Sequence, residues 1–150
     1  MSSSTLFDVS VADWQRDGEV LSHIRFTVFV REQGVPLEME RDELDADTKR
    51  CVHVLARDAA GGPGGTGRLI LDAPVPRIGR MAVLKAYRGT GMGGSILERL
   101  CEEAKHRGFR EVLLHSQTHA APFYYKHGFV SHGAEFFEAG IPHQEMRRKL

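Results

Sequence analysis

The sequence predicts an α/β protein of the α+β kind, with a mixed, mostly antiparallel sheet of six to seven strands flanked by about four helices. Two observations carry that expectation. Between residues 51 and 84, three short apolar segments are joined by turn residues, the pattern of an antiparallel meander. Residues 78–115 then run strand, helix, strand, and a crossover of that kind makes its two strands parallel. At 150 residues the chain suits one domain, 1–150, long enough to bury a core without staples. Its 41% hydrophobic and 27% charged residues are ordinary for a soluble globular protein.

The elements follow in order. Met1 to Thr5 is a polar start, and Leu6 to Val11 alternates enough to read as the first strand. Asp17 is placed to cap a helix in which Val20, Leu21, Ile24 and Val28 recur at helical spacing and which Gly34 and Pro36 stop. Phe26, Phe29 and Val30 widen its apolar surface beyond a single stripe. The ten residues from Glu38 to Asp47 carry six carboxylates. Such a run is usually a solvated face; its functional reading is a negative rim that draws in a cationic amine.

Cys51 to Arg57 is the second strand, with Cys51, His53 and Leu55 on one face and Val52, Val54 and Ala56 on the other. Asp58 to Gly67 reads as a flexible glycine-rich turn, Gly67 to Leu71 as the returning strand, and Ile78 to Leu84 as the fourth, after a turn at Pro74 and Pro76. Beyond a glycine loop, Ile96, Leu97, Leu100, Cys101 and Ala104 share one helix face. Lys105, His106 and Arg107 complement its dipole before Gly108 ends it, and Glu103 with Arg107 suits an i,i+4 pair. Val112 to Leu114 is a buried strand, Ala120 to His127 a short helix closed by Gly128, and Phe129-Val130 opens another strand. Phe136-Phe137 continues the apolar signal, Gly140-Ile141-Pro142 turns, and Glu145 to Leu150 closes the chain.

The glycine loop, with Gly89, Gly91, Gly93 and Gly94 just before a helix, points to a phosphate, because N–H groups at a helix start attract anions. Read literally, Gly89-x-Gly91-x-x-Gly94 matches a dinucleotide fingerprint. That reading is weakened by the loop's place past mid-chain and by a following strand that ends in His115-Ser116-Gln117, where an acidic ribose ligand is needed roughly 20 residues on. A P-loop is weakened by Ser95, which stands where its lysine belongs.

Two segments together give a third reading. Arg88-x-x-Gly91-x-Gly93, after a strand and Ala86-Tyr87, and Ala121-Pro-Phe-Tyr-Tyr-Lys-His-Gly-Phe129 resemble two landmarks of the GNAT (N-acetyltransferase) superfamily, in the right order and separation. The resemblance spans about residues 6–150 and is strongest over 80–129. Val28 to Pro36 and Gly140-Ile-Pro-His143 look like one branch of small, mostly uncharacterised bacterial members.

The resemblance implies that the fourth and fifth strands splay apart and that the pantetheine arm of coenzyme A enters the gap. By position, the backbone of Met81, Ala82 and Val83 would meet the pantetheine and the thioester carbonyl. Arg88, Gly89, Thr90, Gly91, Met92, Gly93 and Gly94 would hold the pyrophosphate, with Ser95 at the helix start. Tyr124 would stand near the coenzyme sulfur. The implied activity is transfer of an acetyl group from acetyl-CoA to an amine by direct attack in a ternary complex, since no cysteine sits where a covalent carrier is expected.

An amine of pKa about 10.4 must lose a proton before it attacks. The developing oxyanion needs preorganised donors, and the departing thiolate needs a proton or a hydrogen bond. His53, His115, His119 and His143 are the candidate bases, because imidazole is the side chain whose ordinary pKa lies nearest neutrality. His53, on a central strand, and His143, in the branch-like segment, rank first as bases. Arg25, Glu32 and Gln33 are expected to shape the acceptor pocket, because GNAT acceptors usually enter on that side. The alternative from another class is a noncatalytic acyl-CoA-binding or sensor protein. A nucleotide oxidoreductase comes third.

Twenty basic and twenty acidic residues cancel, so nothing points to nucleic acid. No apolar run approaches membrane-spanning length and no signal peptide opens the chain, which makes the cytoplasm the default compartment. Cys51 and Cys101 read as buried thiols, and no metal site has the spacing it needs. The expected partners are acetyl-CoA and an amine, with a homodimer left open.

Overall fold

The computed structural model describes residues 7–150. Met1 to Leu6, with the polar start and the first residue of the expected strand, lie outside the described residues. Strand β1 (Phe7–Ala12) leads into helix α1 (Trp14–Arg25), whose cap is Asp13 and not Asp17. The Asp13 carboxylate accepts from the N–H groups of Gln15 and Arg16, while Asp17 accepts from the N–H of Asp13 at 3.0 Å. The two aspartates thus satisfy each other's end of the first turn, as a capping box does. The helix continues as a π-helical segment, Phe26–Glu32, and a single turn α2 (Leu37–Glu40) follows.

The meander forms as expected: β2 (Cys51–Asp58), β3 (Pro63–Ile70) and β4 (Arg77–Val83) pair antiparallel, and β1 pairs antiparallel with β2. The glycine-rich stretch departs from its expected role. Only Asp58 to Gly62 turns, and the rest lies inside β3. Helix α3 (Met92–His106) crosses that strand so closely that a Cβ would stand 2.7 Å from Ile96 Cδ1 at Gly65 and 2.8 Å from Leu100 Cδ1 at Gly67. Glycine is there to admit the helix, not to bend the chain.

After α3 come β5 (Glu111–Gln117), the short helix α4 (Ala121–Lys126), and the strands β6 (Val130–Ser131), β7 (Phe136–Glu138) and β8 (Ile141–Lys149). The last turn falls at Ala139-Gly140, both with positive φ, so Pro142 lies within β8 instead of in a turn. Among the described residues the sheet has eight strands, in the order β1-β2-β3-β4-β5-β8-β6 with β7 also on β8. That is one strand more than the expected upper count, because the apolar signal after residue 129 divides into two short pieces.

Two cores sandwich the sheet. Against α3 pack Val52, Val54, Ala56, Leu69, Ile78, Val112 and Met146, meeting Ile96, Leu97, Leu100, Cys101 and Ala104, the face that the helical period predicts. On the other face Leu21, Ile24 and Val28 cover Leu55 and Ala82. Each fully buried aliphatic side chain contributes about 1.5–3 kcal/mol. No helix among the described residues is long and apolar enough to cross a membrane.

The parallel pair β4–β5 is the break in this fabric. It is registered only at Arg77↔Leu113 and Ile78↔Leu114. Just past that point β4 carries an extra residue: Arg68 faces Gly79 but Thr66 faces Ala82, so Gly67 opposes Arg80 and Met81 together. This is a β-bulge, with Arg80 at φ +49°. Beyond it β4 stays on β3 and has no registered partner in β5.

Candidate active site

The separation of β4 from β5 opens a cleft of about 810 Å³. Ile78, Gly79, Arg80 and Met81 form its floor, Leu114, His115 and Gln117 one wall, and Phe29 and Gln33 the other. Tyr124 and His143 close it from the β5 side, with His119 and Glu138 beside them. A bulge that both ends strand pairing and re-aims a side chain is a recurrent way to build a site in a sheet.

At the far end of β4, residues Arg88 to Gly91 turn into α3. Gly91 caps the helix with φ +93°, a conformation glycine adopts without strain. The first helical bond runs from Ser95 N–H to Gly91 C=O, which leaves the N–H groups of the preceding turn facing out of the helix end. A side chain added at Gly89 or Gly91 would meet nothing within 4 Å, so the loop surface is open to a close-lying anion. The Met92 side chain is fully buried beneath the loop, and Thr90 Oγ1 donates to Tyr87 C=O. Tyr87 in turn donates to Asp58 at 2.6 Å, tying the loop to the β2–β3 turn.

These features suit coenzyme A: exposed backbone N–H groups where a pyrophosphate would lie, a cleft floored by Ile78 to Met81 of β4, and a strand edge without a β5 partner for an amide-bearing arm. Arg88 is less free than expected. Its Nε donates to Val83 C=O at 3.0 Å and its Nη2 to Glu32, so the guanidinium clamps the end of β4 to the π-helical segment. A second cavity, of about 620 Å³, adjoins the start of α3 and is lined by Gly91, Gly94, Ser95, Phe123 and His127. There Glu98 accepts from His127 Nδ1 at 2.7 Å and from Arg148 at 2.9 Å.

Tyr124 lies beneath Phe123 and beside Phe129, with ring centroids at 5.0 and 6.1 Å. Burial raises its pKa, so the phenol stays protonated. His143 is buried; its Nδ1–H donates to Ile141 C=O at 2.8 Å, which leaves Nε2 as the nitrogen free to exchange a proton. That nitrogen lies 3.5 Å from Glu138, whose other oxygen is 3.6 Å from His115 Nδ1.

Two expected site residues stand elsewhere. His53 is buried under Trp14 at 4.9 Å, its Nε2 donating to the Asp45 carbonyl at 2.9 Å, and it lines neither cavity. Burial lowers its pKa, which fits a neutral packing residue. Arg25 is also buried and donates to Glu40 and to Asp45 (2.7 Å). The acidic run is the cause. Asp45 also accepts from Arg68 at 2.8 Å, and Asp42 receives both nitrogens of the Arg68 fork at 2.9 and 2.7 Å. Glu40 and Asp45 neutralise arginines of α1 and β3 inside the fold and Asp42 pairs with Arg68 from the surface, whereas Glu38 and Glu43 remain a solvated face. Hydrogen bonding to Arg68 holds Asp42 down at about 2. Burial would push Asp45 up, but bonding and charge from Arg25 keep it below the usual carboxylate range.

Gln33 lines the cleft as expected, whereas Glu32 pairs with Arg88 at its edge. Sequence reasoning missed Arg80 and Glu138. Neither sits in a periodic or motif position; the signal for Arg80 is the bulge, which only pairing reveals.

Comparison with known proteins agrees with this geometry. A sequence profile described as the acetyltransferase (GNAT) domain matches residues 14–150. The chain is 39% identical over 127 residues to the uncharacterized N-acetyltransferase YjcF of Bacillus subtilis, covering 84% of this chain and 88% of that protein. Among solved structures it is similar to an acyl-CoA N-acyltransferase from Pseudomonas aeruginosa, with a TM-score of 0.82 and 29% identity over 95% of this chain and 99% of the other. Escherichia coli ElaA shares the fold, with a TM-score of 0.83 at 24% identity over 95% and 99% of the two chains. With its splayed β4–β5 pair, its glycine loop at the start of α3 and these matches along nearly its whole length, the chain belongs to the GNAT acetyltransferases, a family of acetyl-CoA-dependent enzymes.

Proposed function

We propose that the protein transfers the acetyl group of acetyl-CoA to a primary amine by direct attack, with both reactants held together in the β4–β5 cleft. The observation that carries this reading is the convergence in one cleft of the unpaired stretch of β4, the half-buried Tyr124 phenol and the His143 imidazole. Acetyl-CoA, when bound, supplies an acetyl carbon activated by its thiol leaving group. The backbone of Gly89 to Gly94 and the start of α3 hold the pyrophosphate, with Ser95 at the rim. Met81, Ala82 and Val83 offer peptide groups to the pantetheine, although the Val83 carbonyl is shared with Arg88. Donors on this stretch face the carbonyl oxygen as it gains charge.

His143 Nε2 takes the proton of the incoming amine, and the Glu138 carboxylate at 3.5 Å faces the proton that arrives there. Tyr124 donates toward the departing sulfur. A phenol of raised pKa gives up its proton to a thiolate only uphill, by more than the roughly 2 kcal/mol separating free tyrosine from a free thiol, so a hydrogen bond describes its role better than full transfer. Neither cysteine lines the cleft, and burial pushes their thiols up to about 11 and about 12, which favours direct attack over a covalent carrier.

The test is thiol release from acetyl-CoA across an amine panel, with the acetylated amine identified by mass. Amine-dependent release is expected. Absence of acetyl-CoA binding together with no turnover on any amine overturns the proposal.

A further inference from the structure

Building on the acetyl-transfer reading, we infer that the acceptor carries an oxoanion as well as its amine, and that Arg80 on the floor of the cleft receives that oxoanion.

The charges lining the cleft point this way. Of the acidic run that suggested a polycation, Glu40 and Asp45 are buried against Arg25 and Arg68, Asp42 is held by Arg68, and none of its carboxylates lines the cleft. Among the described residues one carboxylate lines the cleft, Glu138, and it already faces His115 and His143. Opposite stand the Arg80 guanidinium and three imidazoles, His115, His119 and His143. A spermidine-like acceptor would find little to hold its second and third cations.

Arg80 itself is left short of partners. Its Nη2 reaches the Met39 carbonyl at 3.3 Å, and the Asp42 oxygen that Arg68 holds at 2.7 Å is 3.7 Å from it. Its Nε is buried from solvent and has no acceptor. A buried donor without a partner is destabilising, the more so when it is charged. Arg80 also bears the backbone strain of φ +49°, a left-handed conformation unfavourable to a residue with a Cβ, and strain of this kind gathers at ligand clamps. Burial, then the like charges of Arg68 and Arg25, lower its pKa, so an arriving anion relieves an existing repulsion. The planar edge of a guanidinium matches a carboxylate or a phosphate with two parallel hydrogen bonds. Beside it Gly79 leaves open room, for a Cβ there would meet nothing within 4 Å.

The experiment compares kcat/KM for four acceptors at saturating acetyl-CoA: an α-amino acid, its methyl ester, an aminoalkyl phosphate, and spermidine. One of the two oxoanion-bearing amines is expected to exceed both the ester and spermidine by about tenfold or more, equivalent to about 1.4 kcal/mol. Which of the two leads identifies carboxylate or phosphate as the anion. Arg80→Gln is expected to lower kcat/KM for the preferred acceptor at least about tenfold more than for the ester, with Arg80→Lys between. The inference is overturned if the ester or spermidine equals the anionic amines on the unsubstituted protein, or if the preference survives Arg80→Gln. The preference of the unsubstituted protein decides whether the acceptor carries an oxoanion, and Arg80→Lys, which keeps the cation, tests the assignment to Arg80 where Arg80→Gln fails to fold. Turnover without anion preference overturns this inference alone, whereas no turnover on any amine and no acetyl-CoA binding overturns the acetyl-transfer reading beneath it.

Discussion

Replacing Gly64 by alanine separates the packing role of the β3 glycines from their hold on the coenzyme loop. A Cβ at Gly64 would stand 2.7 Å from Tyr87 Cδ2 and 2.8 and 2.9 Å from Cε and Sδ of Met92, roughly 1 Å inside ordinary carbon contact. Tyr87 and Met92 bracket the loop. The first is tethered to Asp58 and the second is fully buried at the first turn of α3, so relief of the clash moves the residues between them. Gly67→Ala meets a comparable obstruction, Leu100 Cδ1 at 2.8 Å and Ile96 Cγ2 at 3.0 Å, one to two turns further along α3 and away from the loop. Each substitution is expected to cost about 1–3 kcal/mol by overpacking, at about 2–4 °C of Tm per kcal/mol for a chain of this size. Gly64→Ala is expected to weaken CoA binding by about tenfold, the loss that follows from misplacing one charge-assisted hydrogen bond, and Gly67→Ala to weaken it less, through its milder 3.2 Å approach to Met81 Cγ on the pantetheine strand. Calorimetric unfolding measures the first effect and titration with CoA the second. Equal loss of affinity in both variants, or a lowered Tm with unchanged affinity in Gly64→Ala, refutes the placement of the phosphate at this loop.

Three further outcomes are expected. Tyr124→Phe lowers kcat about a hundredfold while the Kd for acetyl-CoA stays within about twofold, measured by thiol release and calorimetry; a parallel loss of affinity would make Tyr124 a packing residue. His143→Gln costs a similar factor with a strongly basic amine and much less with an acceptor whose ammonium is already deprotonated at the assay pH, because the missing step is then unnecessary; equal losses on both acceptors remove His143 as the base. Stability falls in acid. Asp42 and Asp45 have depressed folded-state pKa values, so their contribution is complete above the ordinary carboxylate pKa and is lost as pH falls toward about 2. For the partly exposed Asp42 it amounts to about 1–2 kcal/mol at neutral pH after allowing for solvent screening. Urea unfolding between pH 5 and 2.5 should show a steeper loss in the unsubstituted protein than in Asp42→Asn, and identical slopes would remove the attribution.

What could be read from the sequence depended on how local its cause was. The apolar face of α3 was legible because Ile96, Leu97, Leu100, Cys101 and Ala104 obey a helical period that a single element imposes on itself. Strand β2 was legible as two faces, but not what covers each: the face of His53 lies under Trp14, remote in sequence, and the Asp45 backbone of the loop before the strand. The same limit governs the acidic run. Its charges are visible, while the arginines that draw Glu40 and Asp45 inside, Arg25 and Arg68, are distant along the chain, 20 and 23 positions from Asp45. The β3 glycines mislead for a related reason, since local propensity says turn and the need for glycine comes from α3 crossing the strand. Asp13 and Asp17 are both capping letters, and the choice between them rests on where the helix begins.

Arg80 shows how one inserted residue can create a site. In a regular strand, side chains two and four positions apart share a face. Ile78 packs into the core under α3, yet Ala82, four residues on, packs into the core under α1. The alternation has been inverted between them, and the inversion sits at the bulge opposite Gly67. Met81 and Val83 thereby return to the α3 side, while Arg80 reaches Met39 and Asp42 on the other. Without the bulge, Arg80 would share the face of Ile78, in an apolar core where an unpaired guanidinium costs several kcal/mol. With it, β4 leaves β5 just after Ile78, and the cation stands at the point where the two strands part. The opening for the donor and the charge proposed to select the acceptor therefore have a single structural cause.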